Sequence, residues 1–273
     1  MHKIIDIVIR ILKTIISLLE GRQAISNVML ISYEKINAPK NGRTGYDFDM
    51  GNLLKRYQAS IETKIKMDTL IKDNAVSENL FFLEKETIKH IGLIKRNSKF
   101  LDVGCGSGIY SKILTRNDSP FRHIKYYGCE INSEIVNICN KFNAKASFFV
   151  SFAEKVNKPD KYFDFILYSG ILHYSQTGWK NVLKDMERVA KRYVYITRTP
   201  VTKRNKTFYV HQRVVGVDGI ENHYFVVLNR DELENELVRN GFKIVVRDYS
   251  SEIFNVKGVE EKIVLVQYLL EKK

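Results

Sequence analysis

Phe100-Leu101-Asp102-Val103-Gly104-Cys105-Gly106-Ser107-Gly108 decides the fold. Its first four residues form a short apolar run of strand character, and three glycines follow at alternate positions. Beyond them Ile109, Tyr110, Ile113 and Leu114 continue at helical spacing. A strand, a glycine loop and a helix in that order build a site for a nucleotide-like cofactor, because glycine lets the backbone approach a ligand closely. The spacing is G-x-G-x-G and departs from the G-x-G-x-x-G of dinucleotide sites. Asp102 narrows the ligand further. A carboxylate just before the loop repels a pyrophosphate and suits a ligand that carries an ammonium group. S-adenosylmethionine (SAM) has the ammonium and no phosphate, so the pattern favours it over NAD.

The chain downstream agrees. Ile124 to Cys129 reads as a second strand ending at Glu130, about twenty residues past Gly108, where a carboxylate accepts from both hydroxyls of a ribose. The alternative for Glu130 is an exposed acid at a helix start. A helix over 133–143, a strand over 146–150, an apolar strand from Tyr162 to Tyr168 and a helix through Trp179, Val182, Leu183, Met186 and Val189 follow in alternation. Another strand is expected at 193–197. Asn229 has the sequence of a helix cap, Asn240-Gly241 that of a helix end, and the last two strands, near 242–248 and 261–270, are predicted to form an antiparallel hairpin.

Outward to the N-terminus, the polar residues Lys3, Asp6, Arg10, Lys13, Ser17 and Glu20 step by three and four, a narrow polar stripe on an otherwise apolar helix. Asp6, Arg10 and Lys13 exclude a membrane span, and Asp6 breaks the apolar core a signal peptide needs. Such a helix buries its broad face against protein, the reading favoured here, or lies in a membrane interface. Gly51 to about Met67 repeats the helical period, as does a stretch from Asn79 to Lys95, so the first hundred residues read as helical. The expected domains are a helical extension over 1–98 and a cofactor-binding domain over 99–273 with an insertion at about 199–228.

Composition sets outer bounds. The chain has 273 residues, 44% hydrophobic and 27% charged, which excludes a disordered chain. Cys105, Cys129 and Cys139 lack the paired spacing of a zinc site or a disulfide framework, so reduced thiols, no metal and a cytoplasmic setting, peripheral to the inner membrane face if the N-terminal helix binds lipid, are expected. The net charge of +13 keeps a nucleic-acid partner in view, although the basic residues are scattered. The sequence sets no oligomeric state.

The motifs at Leu101 to Gly108, at Glu130, at Phe163-Asp164-Phe165-Ile166 and at Leu172-His173 resemble those of class I SAM-dependent methyltransferases. That resemblance implies an α/β, Rossmann-like sheet of seven strands, the last antiparallel, with SAM across the carboxyl ends of the first strands. By the same resemblance Asp102, Gly104, Cys105, Gly106, Gly108, Glu130, Ile131, Ala153 and Tyr168 border the cofactor. One position departs: the family carries Asp before the Ala of the third-strand loop, and this chain has Phe152, which leaves stacking or backbone groups to meet the adenine. A narrower resemblance rests on Gly45-Tyr46-Asp47, on Arg198-Thr199-Pro200 and on Thr207 to Gln212. It points to a family of bacterial methyltransferases found among surface-polysaccharide and lipopolysaccharide biosynthesis genes, and to a sugar or sugar-linked acceptor.

Several residues have two readings. His173 is a general base for a hydroxyl acceptor, or a histidine that shapes the pocket. Arg198 clamps an anionic group on the acceptor, or pairs with a carboxylate at the core edge. Tyr46 closes over the methionine moiety or anchors the N-terminal segment. Cys105 reads as a small packed residue before a nucleophile, since SAM brings its own reactive carbon, and His211 as a loop contact before a catalytic group. Phe208, Tyr209, Tyr224 and Phe225 suit the faces of a sugar ring, with Lys203 beside Arg198 for a linked phosphate. The favoured reading is O-methylation of a small-molecule or glycan acceptor. RNA methylation and a SAM-binding, non-catalytic subunit are the alternatives, and Ser169-Gly170-Ile171-Leu172 lacks the Asn/Asp-Pro-Pro-aromatic motif of amino-directed nucleic-acid enzymes.

Overall fold

The computed structural model describes residues 30–38, 74–143, 145–216 and 219–273. In chain order its strands are β1 (Leu30–Ile36), β2 (Lys99–Val103), β3 (Lys125–Glu130), β4 (Ser147–Val150), β5 (Phe163–Ser169), β6 (Ala190–Thr202), β7 (Phe208–Gly216), β8 (Gly219–Asn229), β9 (Phe242–Phe254) and β10 (Ile263–Lys272). Its α-helices are α1 (Asn74–His90), α2 (Ile109–Leu114), α3 (Ser133–Phe142), α4 (Trp179–Val189) and α5 (Arg230–Arg239), with a 3-10 segment at Leu172–Gly178.

Strands β4, β3, β2, β5 and β6 lie side by side and parallel. β10 runs antiparallel between β6 and β9. These seven strands are the α/β sheet expected, and the last in the chain is the antiparallel one. Central β2 and β5 are nearly continuous apolar runs because both of their faces are covered. Alternation along them sorts the core. Leu101, Val103, Ile166 and Tyr168 pack toward Val182, Leu183, Met186 and Val189 of α4. Phe100, Phe165 and Leu167 face Leu83, Ile113, Leu114 and Ile135 on the helices of the opposite side.

Helix ends follow their caps. The Asn132 side chain accepts from the N–H groups of Glu134 and Ile135 at 2.8 and 3.1 Å, and α3 starts there. Asn229 does the same for α5 through the Glu232 N–H at 3.0 Å, and Gly241, at φ +81°, carries the turn that ends it.

Three strands go beyond the expected seven. β7 and β8 form an antiparallel hairpin, β1 pairs along β7, and β8 joins β6 in parallel at only two positions, Val201 with Leu228 and Thr202 with Asn229. The stretch expected as an insertion at about 199–228 is the end of β6 followed by this hairpin. The annex also corrects one sequence reading: the first hundred residues are not all helical, since Leu30–Ile36 is a strand. It is held on both edges, by β7 and by Lys257, whose N–H donates to the Tyr33 carbonyl at 2.9 Å while the Lys35 N–H donates to the Lys257 carbonyl at 3.1 Å. A strand whose edges are both paired gains its order from tertiary partners, which local propensity does not register. The annex has its own small core, Phe208, Val210, Phe225 and Val227 against Val256 and Ile263.

The 1–20 helix, the 51–67 helix and Tyr46 lie outside the described residues. Among the described residues no helix is long and apolar enough to cross a membrane.

Candidate active site

Two features meet at the carboxyl ends of the parallel strands, the edge where open α/β sheets bind ligands. The first is the loop after β2. Gly104, Gly106 and Gly108 have φ of +67°, +50° and +69°, left-handed values that glycine holds at little cost. The N–H groups of Gly104 and Cys105 donate to the Cys129 carbonyl at 2.9 and 3.0 Å, which ties the loop to the end of β3. Glu130 then closes it: one carboxylate oxygen accepts the Gly106 N–H at 3.2 Å, the other the Ile131 N–H at 2.8 Å. Burial raises the Glu130 carboxyl above its ordinary range, and these backbone donors oppose the rise.

Asp102 is 1% exposed and accepts a short hydrogen bond from the Tyr126 hydroxyl. Burial pushes its pKa up to about 7, the Glu130 charge adds to the shift and the tyrosine bond opposes it. Cys105 is buried, and its hydrogen bond with Cys139 together with burial raises its thiol well above the ordinary value. It is a packed thiol within the loop. Beyond β4, Phe152 is 52% exposed and Ala153 is buried; Tyr168 is buried inside β5. Among the described residues the side chains that touch the loop are the Glu130 carboxylate, the Cys139 thiol, the Ser111 hydroxyl, the Asn143 amide and apolar groups, with no lysine or arginine among them. That donor set fits a ligand with a cationic end and free hydroxyls, as SAM has, and does not fit a pyrophosphate.

The second feature is a cavity of about 520 Å³ beside the loop. Its floor is the turn after β5, where the Gly170 N–H donates to the Thr197 carbonyl at 2.9 Å and the 3-10 segment begins. Ile171 links the two features, because a Cβ on Gly104 would stand 2.8 Å from its side chain. Tyr110, in the helix that leaves the glycine loop, makes a second link: its hydroxyl lies 2.9 Å from the Ser169 hydroxyl. His173 and Arg198 both line the cavity, so the two candidates named for the acceptor side come together.

His173 is 9% exposed, its ring 4.3 Å from that of Tyr174 and 5.4 Å from that of Phe225. Burial first, then the Arg198 charge, lower its pKa to about 3, so the imidazole is neutral. Its Nδ1 is buried and has no hydrogen-bond partner among the described residues. Arg198 occupies a left-handed backbone position at φ +57°, unusual outside glycine. No carboxylate among the described residues pairs with it, which removes the core-edge reading.

The rest of the expected acceptor set needs correction. Of the four aromatics singled out, only Phe225 lines the cavity. Phe208 is buried in the annex core, and Tyr224 is 41% exposed and stacked on His211. Lys203 stands over the Tyr249 ring instead of joining Arg198. Sequence reasoning missed Tyr33 of β1, Gln212 of β7 and Phe254 of β9, which complete the wall. The one available signal was the alternation in Ile31-Ser32-Tyr33-Glu34-Lys35-Ile36, a strand pattern that puts Tyr33 on the inner face.

Residues 101–196 match the family model of a methyltransferase domain. No curated protein matches the chain. Among solved structures it is similar to a SAM-dependent methyltransferase from Methanosarcina mazei, at 19% identity and TM-score 0.50, over 68% of this chain and 96% of the other. Similarity also extends to a SAM-dependent methyltransferase from Clostridium acetobutylicum, at 16% identity and TM-score 0.50, over 71% of this chain and 90% of that one. A third is the 4+2 cyclase SpnF, at 14% identity and TM-score 0.53, over 88% and 98%. At such identities these neighbours show the fold. With the domain match they carry one coarse conclusion: residues 101–196 form a methyltransferase domain, on a fold that solved SAM-dependent methyltransferases share.

Proposed function

We propose that the protein transfers the methyl group of SAM to a hydroxyl oxygen of a sugar or sugar-linked intermediate in surface-polysaccharide biosynthesis. The observation that carries this reading is the cavity that joins His173 and Arg198 next to the glycine loop. SAM supplies an electrophilic methyl, so the protein's work is to align the acceptor and to take up a proton.

On the cofactor side, the backbone of Gly104, Cys105, Gly106 and Gly108 cradles the ligand. Glu130 holds the ribose. Its oxygens already accept the Gly106 and Ile131 N–H groups, and an ionised carboxylate offers about four acceptor positions, so acceptor capacity remains for the diol. Asp102 faces the ammonium, Ile131 and Tyr168 supply apolar walls, and Phe152, with Ala153 behind it, offers a ring face to the adenine. Tyr46 is proposed to close over the methionine moiety from outside the described residues.

On the acceptor side, His173 accepts a hydrogen bond from the reacting hydroxyl. An imidazole with a pKa near 3 is a weak base. It is adequate because the hydroxyl becomes a strongly acidic oxonium as its bond to carbon forms. His173→Ala is therefore expected to lower turnover on the order of 10²-fold, the modest end of general-base effects, with SAM affinity unchanged.

The direct test incubates purified protein with methyl-labelled SAM and cell-envelope glycan intermediates, then identifies the labelled product after hydrolysis. The expected product is an O-methyl sugar. Label on RNA, or none on any acceptor, overturns the proposal. A second test addresses the cofactor side: calorimetry should show Glu130→Gln binding SAM about 1–3 kcal/mol more weakly, and equal affinity would remove Glu130 from the ribose.

A further inference from the structure

We infer that the acceptor is an anion whose carboxylate or phosphate pairs with Arg198, and that the cavity excludes protonated amines. This deepens the reading above and rests on it, because it takes the cavity as the acceptor site. Among the described residues Arg198 is the only cationic side chain that lines the cavity, and no Asp or Glu among them lines it. Tyr33, Phe225 and Phe254 form a mutually packed aromatic wall, with ring centroids 4.4 to 6.2 Å apart.

Arg198 is partly buried and lines the cavity together with these rings, and no carboxylate among the described residues pairs with it, so its charge is incompletely compensated. Stable folds pair such a charge, and an anion in the cavity would supply the partner. The backbone supports the same conclusion. Arg198 holds a left-handed φ in the middle of the 13-residue strand β6, and Gly170, itself at φ +68°, packs against it with a Cβ position 3.7 Å from the Arg198 Cβ. Strain of this kind persists where the surroundings fix a side chain for a task. A guanidinium presents paired N–H donors that match a carboxylate or phosphate in a bidentate way.

An ammonium in the same cavity would meet Arg198 as a like charge and find no carboxylate. Neutral His173 adds no charge of either sign. The charge pattern therefore selects against amine acceptors before any question of shape arises, and it directs the methyl to oxygen.

The test uses the full-length protein and four probes of one ring type: glucose, glucuronate, glucose 1-phosphate and glucosamine, each titrated to tens of millimolar by saturation-transfer NMR. Calorimetry with SAM runs alongside. At least one of the two anions is expected to bind about tenfold more tightly than glucose, with glucosamine weakest. Which anion does so separates a sugar acid from a sugar phosphate. Arg198→Gln should remove the preference, and Arg198→Lys should retain part of it, since charge without the bidentate fork remains. Glucosamine binding as tightly as the anions, an anion preference that survives Arg198→Gln, or no binding by any probe overturns the inference. The comparison among probes on the unaltered protein stands even if a variant fails to fold. An unaltered protein that binds SAM but shows no anion preference defeats this inference alone, whereas failure to bind SAM defeats the methyl-transfer reading beneath it.

Discussion

Asp102 and His173 are both buried and ionisable, and the protein pushes them in opposite directions. Asp102 holds its proton up to about pH 7, whereas in the unfolded chain it loses it near 4. Its contribution to stability thus falls as pH rises across that window. His173 stays neutral down to about pH 3, whereas the unfolded chain takes up the proton below about 6.5. Its contribution falls as pH drops from 6.5 toward 3. Between about pH 4 and 6.5 the two slopes have opposite sign and offset each other. Removing one exposes the other: Asp102→Asn should melt at progressively higher temperature as pH rises through this range, and His173→Phe at progressively lower temperature. Thermal denaturation at half-unit pH steps reads both, and parallel profiles for the two variants would contradict the assignment. The same Asp102 predicts a cofactor effect. A cationic ligand favours the ionised carboxyl, so SAM should bind more tightly as pH rises through 7 and release a proton on binding, which calorimetry in buffers of different ionisation enthalpy detects. At this scale the sequence was readable wherever the motif fixes the backbone: Asp102, the glycines and Glu130 cluster as their spacing implies. It was silent on Tyr33, Gln212 and Phe254, which reach the cavity only through strand pairing distant in sequence.

Elements with strong local signals were legible for physical reasons. α3 and α5 begin at asparagine caps whose side chains satisfy N–H groups the helix leaves free, and α4 presents one apolar face at helical period. The hairpin β7–β8 and strand β1 were missed because their order comes from pairing with each other and with the Lys257 segment, and short polar-apolar alternations carry little local preference. Asn229 tests how much a readable signal contributes. It caps α5 through the Glu232 N–H, and its amide also donates to the Asn205 carbonyl at 2.8 Å, which fastens the β6–β7 turn. Asn229→Ala should cost about 1–2 kcal/mol and lower the melting temperature by roughly 2–4 °C for each of them. Asn229→Ser restores the cap but not the bond to Asn205, so it should recover only part of the loss. Equal melting temperatures for the alanine variant and the unaltered protein would show that the cap contributes nothing here.

Across the whole molecule the labour divides between two sheets that meet at the end of β6. The parallel sheet carries the glycine loop, Asp102 and Glu130, while the annex contributes Tyr33, Gln212 and Phe225 to the cavity beside it. The ladder between β6 and β8 is two residue pairs, and the Lys257 segment adds a second hydrogen-bonded link through β1. A wall built on a separate sheet can change the acceptor without disturbing the cofactor loop, which predicts separable effects. Tyr33→Ala removes a ring packed against Phe225 and Phe254 at 6.2 and 4.4 Å, and widens the cavity. The acceptor KM should rise about tenfold or more, as expected for losing 1.4 kcal/mol or more of aromatic contact, while SAM affinity stays within twofold of the unaltered value. Glu130→Gln should give the reverse pattern, with weaker SAM binding and an unchanged acceptor KM at saturating SAM. Steady-state kinetics and calorimetry on the two variants measure all four quantities. A Tyr33→Ala protein that binds SAM tenfold more weakly would mean that the annex also shapes the cofactor site, and the division between the two sheets would fail.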